Sequence, residues 1–186
     1  MIQSLDNKIN NKTGIPHSTL VLGGSRSGKS EFAENLIAKQ YDKKTYVATM
    51  QAGDDELQTR IIDHKKRRGE DWNLIEEPLL LCKVLTDENN STEVFLIDCI
   101  TMWLNNMLMK NFSDSDIAEQ VKQVGQIAQQ RLRSIVFVAN EVGMGIVPES
   151  QLSRRFRDLA GWTNQELATA CDDVFFVAAG CPLQLK

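Results

Sequence analysis

The residues Gly23-Gly24-Ser25-Arg26-Ser27-Gly28-Lys29-Ser30 carry the spacing G-x-x-x-x-G-K-[ST] in full. Small residues let a backbone curl until successive N–H groups point inward at phosphate oxygens. A helix opening at the end of such a loop adds the positive end of its dipole. Lys29 is placed to reach the β and γ phosphates of a nucleotide, and the Ser30 hydroxyl to bind Mg2+. The bland alternative is a glycine turn between a strand and a helix, and the complete motif argues against it.

A metal on a triphosphate wants a carboxylate as well. Val94-Phe95-Leu96-Ile97-Asp98 is an apolar run ending in one, and its strand is expected beside the phosphate loop. A plain strand-end aspartate is the weaker alternative. Loop and carboxylate together predict a nucleoside triphosphate and Mg2+, held by Ser30 and Asp98. They do not choose among kinase, ATPase, GTPase and transferase chemistry.

A second constellation lies in Arg60-Ile61-Ile62-Asp63-His64-Lys65-Lys66-Arg67-Arg68. In a helix Arg60 and His64 share a face, and Arg67 and Arg68 extend it. Guanidinium groups bind phosphate bidentately. Nearby cations disfavour the imidazolium and leave a neutral nitrogen able to attack phosphorus. A solvated basic helix end with a chance histidine is the competing reading. The net charge of −4 makes this basic cluster a concentration against the background.

These groups need elements to hold them, and the chain alternates strands with helices. Thr19–Leu22 reads as a buried strand before the loop, and Ser30–Gln40 as the helix after it. Thr45–Thr49 is a strand. Asp54–Arg68 reads as a helix with an acidic start and a basic end. A helix is expected over Glu77–Leu85, a strand over Glu93–Asp98, and helices over Ile100–Phe112 and Asp116–Leu132. Ser134–Ala139 and Val174–Ala178 are strands, with a short last one at Leu183–Leu185. Pro148–Cys171 is mostly helical, with Gly161 the place for a break or kink. Such alternation predicts an α/β, P-loop NTPase-like fold: a mostly parallel sheet with helices on both faces.

The 186 residues are 42% hydrophobic and 25% charged, which fits one ordinary globular domain and excludes disorder. We expect a loosely ordered extension over 1–17 and one catalytic domain over 18–186. His17 falls in the extension, leaving His64 as the one imidazole of the domain body. No apolar run approaches the ~18 residues of a membrane span. The start of the chain lacks the apolar block of a secretory signal. An acidic chain argues against nucleic acid as a partner. The cysteines at 82, 99, 171 and 181 lack C-x-x-C spacing and suit a reducing cytoplasm.

The motifs in this order resemble the bifunctional adenosylcobinamide kinase/adenosylcobinamide-phosphate guanylyltransferase family of cobalamin biosynthesis. The likeness runs from about Leu20 to Lys186. It covers GGSRSGKS, Ala48-Thr49-Met50, R-I-x-x-H-K-x-R-R from Arg60, then Trp72, Glu76 and Pro78. It continues with L-I-D-C-I-T-x-W-L-x-N from Leu96 to Asn106 and N-E-V-G-M-G-I-V-P from Asn140 to Pro148. Arg154, Phe156, Arg157, Asp158, Gly161, Asn164 and Gln165 complete it. Gly69 and Leu74 depart from the usual proline and threonine, and neither touches a proposed catalytic group.

The resemblance implies that Gly23–Ser30 hold the nucleotide phosphates, with Lys29 catalytic, and that His64 accepts GMP covalently. It adds Ala48, Thr49, Met50, Lys65, Arg67, Glu76 and Asp98 as nucleotide contacts. ATP and GTP would be substrates, adenosylcobinamide the acceptor, and adenosylcobinamide-GDP the product. It also implies a homo-oligomer, with a site shared between subunits for so large an acceptor. Glu141 could orient a substrate hydroxyl or simply cap a loop. Trp103, Met107 and Met109 could line a corrinoid wall, although helical spacing favours core or subunit contact for Trp103 and Met107. Two other readings stay open: a P-loop small-molecule kinase without guanylyl transfer, and a nucleotide-dependent regulatory switch.

Overall fold

A computed structural model describes residues 15–38, 40–50 and 71–186. Among these residues seven strands form one sheet in the order β3-β2-β4-β5-β1-β6-β7. They are β1 (Ser18–Gly23), β2 (Lys44–Ala48), β3 (Trp72–Glu76), β4 (Val94–Asp98), β5 (Ser134–Asn140), β6 (Asp173–Ala178) and β7 (Cys181–Gln184). The first six are mutually parallel, and β7 alone runs antiparallel, against β6. The central strands are almost continuously apolar because both faces are covered.

Helix α1 (Lys29–Ala38) covers one face, where Ala33 and Ile37 meet Val21, Leu96 and Val138. The other face carries α2 (Leu81–Thr86), α3 (Ile100–Met109), α4 (Asp114–Gln129) and α5 (Gln151–Ala170). There Trp103, Leu104, Val121 and Leu167 pack on Phe95, Ile97 and Phe137. The mostly parallel sheet with helices on both faces is the architecture expected from sequence.

Several local expectations need correction. Sequence reading places no strand between 68 and 77, yet β3 pairs with β2 there. It is an edge strand, half-buried to exposed, so its Trp-Asn-Leu-Ile-Glu run lacks the apolar pattern that announces a buried strand. The helix expected from Glu77 starts only at Leu81, because the Glu77 carboxylate accepts the Leu79 and Leu80 N–H groups and holds a turn. Helix α4 starts at Asp114, two residues ahead of expectation, behind a reciprocal cap between Ser113 and Asp116. Helix α5 passes unbroken through Gly161, since packing of Ala160, Thr163, Asn164 and Leu167 outweighs a glycine cost of about 1 kcal/mol.

The strand order brings a larger correction. Strand β4, with Asp98, is not beside the phosphate-loop strand β1; β5 lies between them. The other correction concerns His17. Its ring Nε2 lies 2.6 Å from Asp173 Oδ2, its N–H donates to Ser134 Oγ, and its carbonyl accepts from Ile135. His17 is therefore pinned to the sheet, and His64 is not the only imidazole attached to the domain.

Candidate active site

The phosphate loop leaves the carboxyl end of β1 and enters α1, so the sheet aims it and the helix dipole backs it. Two of its glycines, Gly23 and Gly28, are forced by contact. A Cβ on Gly23 would stand 2.5 Å from both Ser27 Oγ and the Val177 carbonyl oxygen. Gly28 has φ +92°, and a Cβ there would meet Gly180 Cα at 3.2 Å. The Gly180 N–H donates to the Ser27 carbonyl at 2.8 Å. The loop is thus keyed into the end of β6 and the β6–β7 turn. Within it, the Ser27 N–H donates to the Gly24 carbonyl at 3.2 Å. Ser25 and Arg26 form the exposed tip.

Lys29 opens α1 and is buried, with Nζ donating to the Gly24 carbonyl at 3.1 Å. Burial lowers its pKa from the ordinary lysine value, and the negative charge of Asp98 works against that shift. Asp98 thus bears electrostatically on the ammonium, although its strand is one removed from β1. Ser30 follows, half-buried, and its hydroxyl makes no hydrogen bond among the described residues. Asp98 Oδ2 accepts from Tyr46 Oη at 3.1 Å, which fixes the carboxylate.

Strand alternation shows why these groups meet. Val21, Leu96, Val136 and Val138 face α1, and Phe95, Ile97 and Phe137 face the other helices. Continuing the period of two puts Gly23, Asp98 and Asn140 on the α1 face of three neighbouring strands.

Asn140 and its neighbour Glu141 are what sequence reading underweighted. Asn140 is opposite Gly23 in the β1–β5 register, and the Glu141 N–H donates to the Gly23 carbonyl at 3.1 Å. Asn140 Oδ1 is buried without a hydrogen-bond partner among the described residues, as is Ser27 Oγ. The Asn140 backbone is held by the Thr101 hydroxyl on its N–H, at 2.7 Å. Glu141 Oε1 accepts the Gly143 N–H at 2.5 Å. The carboxylate therefore closes its own loop, which supports the capping reading among the two considered. The available signal was the polar pair Asn140-Glu141 ending a buried strand.

Ala48-Thr49-Met50 leave the carboxyl end of β2 beside Asp98. The Thr49 hydroxyl donates to the Cys99 carbonyl and accepts the Cys99 N–H, at 2.8 and 2.9 Å. The Asn106 amide holds the Thr49 carbonyl at 2.7 Å. Thr49 thus uses its polar atoms inside the protein, and any contact with a nucleotide there falls to Ala48, Met50 or to shape. Glu76 ends β3 next to Ala48 and is exposed. Trp103 and Met107 are wholly buried core, so they form no ligand wall. Met109 is exposed at the far end of α3. His64, Lys65 and Arg67, with the rest of the basic segment Arg60–Arg68, lie outside the described residues.

Comparison with known proteins bears on this geometry. Residues 19–185 match the family described as cobinamide kinase / cobinamide phosphate guanyltransferase. The bifunctional adenosylcobalamin biosynthesis protein CobP of Pseudomonas aeruginosa is 41% identical, over 90% of this chain and 96% of its own. The corresponding protein CobU of Escherichia coli is 38% identical, over 90% and 98%. Solved structures share the fold alone. The flagellar accessory protein FlaH of Methanocaldococcus jannaschii is 19% identical with TM-score 0.53, covering 98% of this chain and 84% of that one. The VirB11 ATPase of the Brucella suis type IV secretion system is 10% identical with TM-score 0.51, covering 100% and 53%. With the match running from β1 to β7, the chain belongs to the cobinamide kinase / cobinamide phosphate guanyltransferase family of transferases.

Proposed function

We propose that the protein phosphorylates adenosylcobinamide with ATP or GTP and then transfers GMP from GTP to the product through a covalent intermediate on His64. The observation that carries this reading is the phosphate loop with Lys29 buried at the head of α1 and Asp98 on the same face of the sheet, in a chain matching the family over residues 19–185. In the first transfer the acceptor hydroxyl oxygen bonds to the γ-phosphorus and the bond to the β-phosphate oxygen breaks. Backbone N–H groups of the loop hold the phosphates, and Lys29 offsets charge on the group in flight. In the second, a neutral His64 nitrogen attacks the α-phosphorus of GTP and expels pyrophosphate. The phosphate of the phosphorylated acceptor then takes GMP, and the histidine leaves as the neutral ring.

Mg2+ fits the donors present. Among the described residues no three His, Cys, Asp or Glu side chains gather into a metal cage. One hydroxyl, Ser30, and one carboxylate, Asp98, suit an ion that keeps water and takes its remaining oxygens from substrate phosphates. Bound there, it would neutralise charge on the triphosphate. Ala48, Met50, Glu76, Lys65 and Arg67 complete the proposed nucleotide site, and the loop of Thr49 shapes it.

We place the enzyme in the cytoplasm, as a homo-oligomer whose subunits share the acceptor site. No helix among the described residues is long and apolar enough to cross a membrane. The four cysteines carry unpaired thiols, in keeping with a reducing compartment. Incubation of the purified protein with adenosylcobinamide, Mg2+ and either triphosphate tests the reading. Phosphorylated acceptor should appear first and the GDP-linked product after it, in the presence of GTP. Absence of both products would refute it.

A further inference from the structure

The loop after β5 presents an apolar surface that no packing among the described residues uses. Met144, Ile146 and Val147 are 80%, 96% and 61% exposed. Both ends of the loop are fixed. At one end the Glu141 N–H donates to the Gly23 carbonyl and Glu141 Oε1 accepts the Gly143 N–H. At the other, Arg154 Nη1 donates to the carbonyls of Pro148 and Glu149 at 2.9 and 2.5 Å, and Ser150 caps α5. Three large apolar side chains on an anchored loop, aimed at solvent, mark a binding surface more often than a random surface.

We propose that this loop is the platform on which the corrinoid macrocycle of the acceptor rests. The inference relies on the function proposed above, and two arguments select this occupant. The first is reach. The acceptor hydroxyl must come to the end of a triphosphate cradled by Gly23–Ser30, and the macrocycle is tethered to that hydroxyl. Glu141 touches Gly23, and Ile146 is five residues further on, so the apolar stretch stands at most about 18 Å from the loop at full extension. The second is chemistry. A corrinoid has broad apolar faces and a rim of amides. The loop alternates apolar side chains with glycine, and a Cβ on Gly145 would meet nothing within 4 Å. The peptide group at Gly145, which no side chain crowds, can bond rim amides while Met144, Ile146 and Val147 cover a ring face.

The residues are exposed, so substitution there leaves stability within about 0.5 kcal/mol. The test is a Met144→Ser, Ile146→Ser double variant, with Ile146→Leu as the conservative control. Adenosylcobinamide affinity is measured by equilibrium dialysis, triphosphate affinity by fluorescent nucleotide titration, and subunit association by sedimentation. The double variant should bind adenosylcobinamide at least tenfold more weakly, bind triphosphate within twofold of the parent, and keep its sedimentation mass. Ile146→Leu should match the parent. An unchanged acceptor affinity in the double variant overturns the platform, and so does a loss that tracks subunit dissociation, which would make the loop a contact between copies. A parent that binds no adenosylcobinamide would instead bring down the proposed function itself.

Discussion

Asn140 stands opposite Gly23 in the ladder between β5 and β1, and its buried side-chain oxygen has no hydrogen-bond partner among the described residues. An unsatisfied buried polar atom costs about 1–3 kcal/mol. Such a group at the base of a phosphate loop is best explained by a partner that arrives with the substrate, either a water or an ammonium or hydroxyl proton. Asn140→Ala should lower the phosphorylation kcat by about 10–100-fold, or roughly 1.4–2.7 kcal/mol of barrier. The triphosphate KM should stay within about threefold and the melting temperature should not fall, because the orphaned atom is gone. A melting temperature that collapses with activity would make Asn140 structural.

Lys29→Ala should reduce both transfers, by about 100-fold or more, since the phosphates must be cradled in each. Steady-state kcat/KM for acceptor phosphorylation and for guanylyl transfer checks this. Rates of both within twofold of the parent would contradict the assignment of the loop.

Asp98→Asn preserves shape and still accepts from Tyr46. The fold should hold, with a melting temperature within about 2 °C, while the Mg2+ concentration for half-maximal activity rises by about tenfold or more. An unchanged Mg2+ titration would remove Asp98 from the metal site.

Much of this was legible because it depends on local pattern. The motif from Gly23 to Ser30 states its own strand–turn–helix context, and the apolar run Val94–Ile97 states that Asp98 ends a buried strand. What was hidden depends on strand order, which no local pattern encodes. Nothing near Ser134–Asn140 says that β5 inserts between β4 and β1, so the importance of Asn140 could not be read from its neighbours. The β6–β7 turn was hidden for the same reason. Gly180 touches Gly28 and Ser27 only through the fold. His17 was misplaced because a histidine after Gly14 and Pro16 reads as a frayed end, while its partners Asp172 and Asp173 lie 155 and 156 residues away in sequence.

That histidine gives a pH prediction. The hydrogen bond to Asp173 is the main cause raising the His17 pKa above 6.5, with the charges of Asp173 and Asp172 assisting. A folded pKa above the unfolded one contributes stability fully below pH 6.5, and the contribution is lost as pH rises through the folded value. The ring is about a third exposed, so screening leaves about 0.5–1 kcal/mol. In urea unfolding, His17→Gln should therefore cost more stability at pH 6 than at pH 9. A difference independent of pH would show that the ion pair contributes nothing.

The covalent intermediate is the central claim, and intact-protein mass spectrometry tests it most directly. After exposure to GTP and Mg2+, the parent should gain the mass of one GMP, and the bond should be labile in acid and stable in base, as a phosphoramidate is. His64→Ala should gain nothing and should lose guanylyl transfer while retaining some acceptor phosphorylation. A parent that never gains the GMP mass, or a His64→Ala protein that gains it undiminished, would contradict the account.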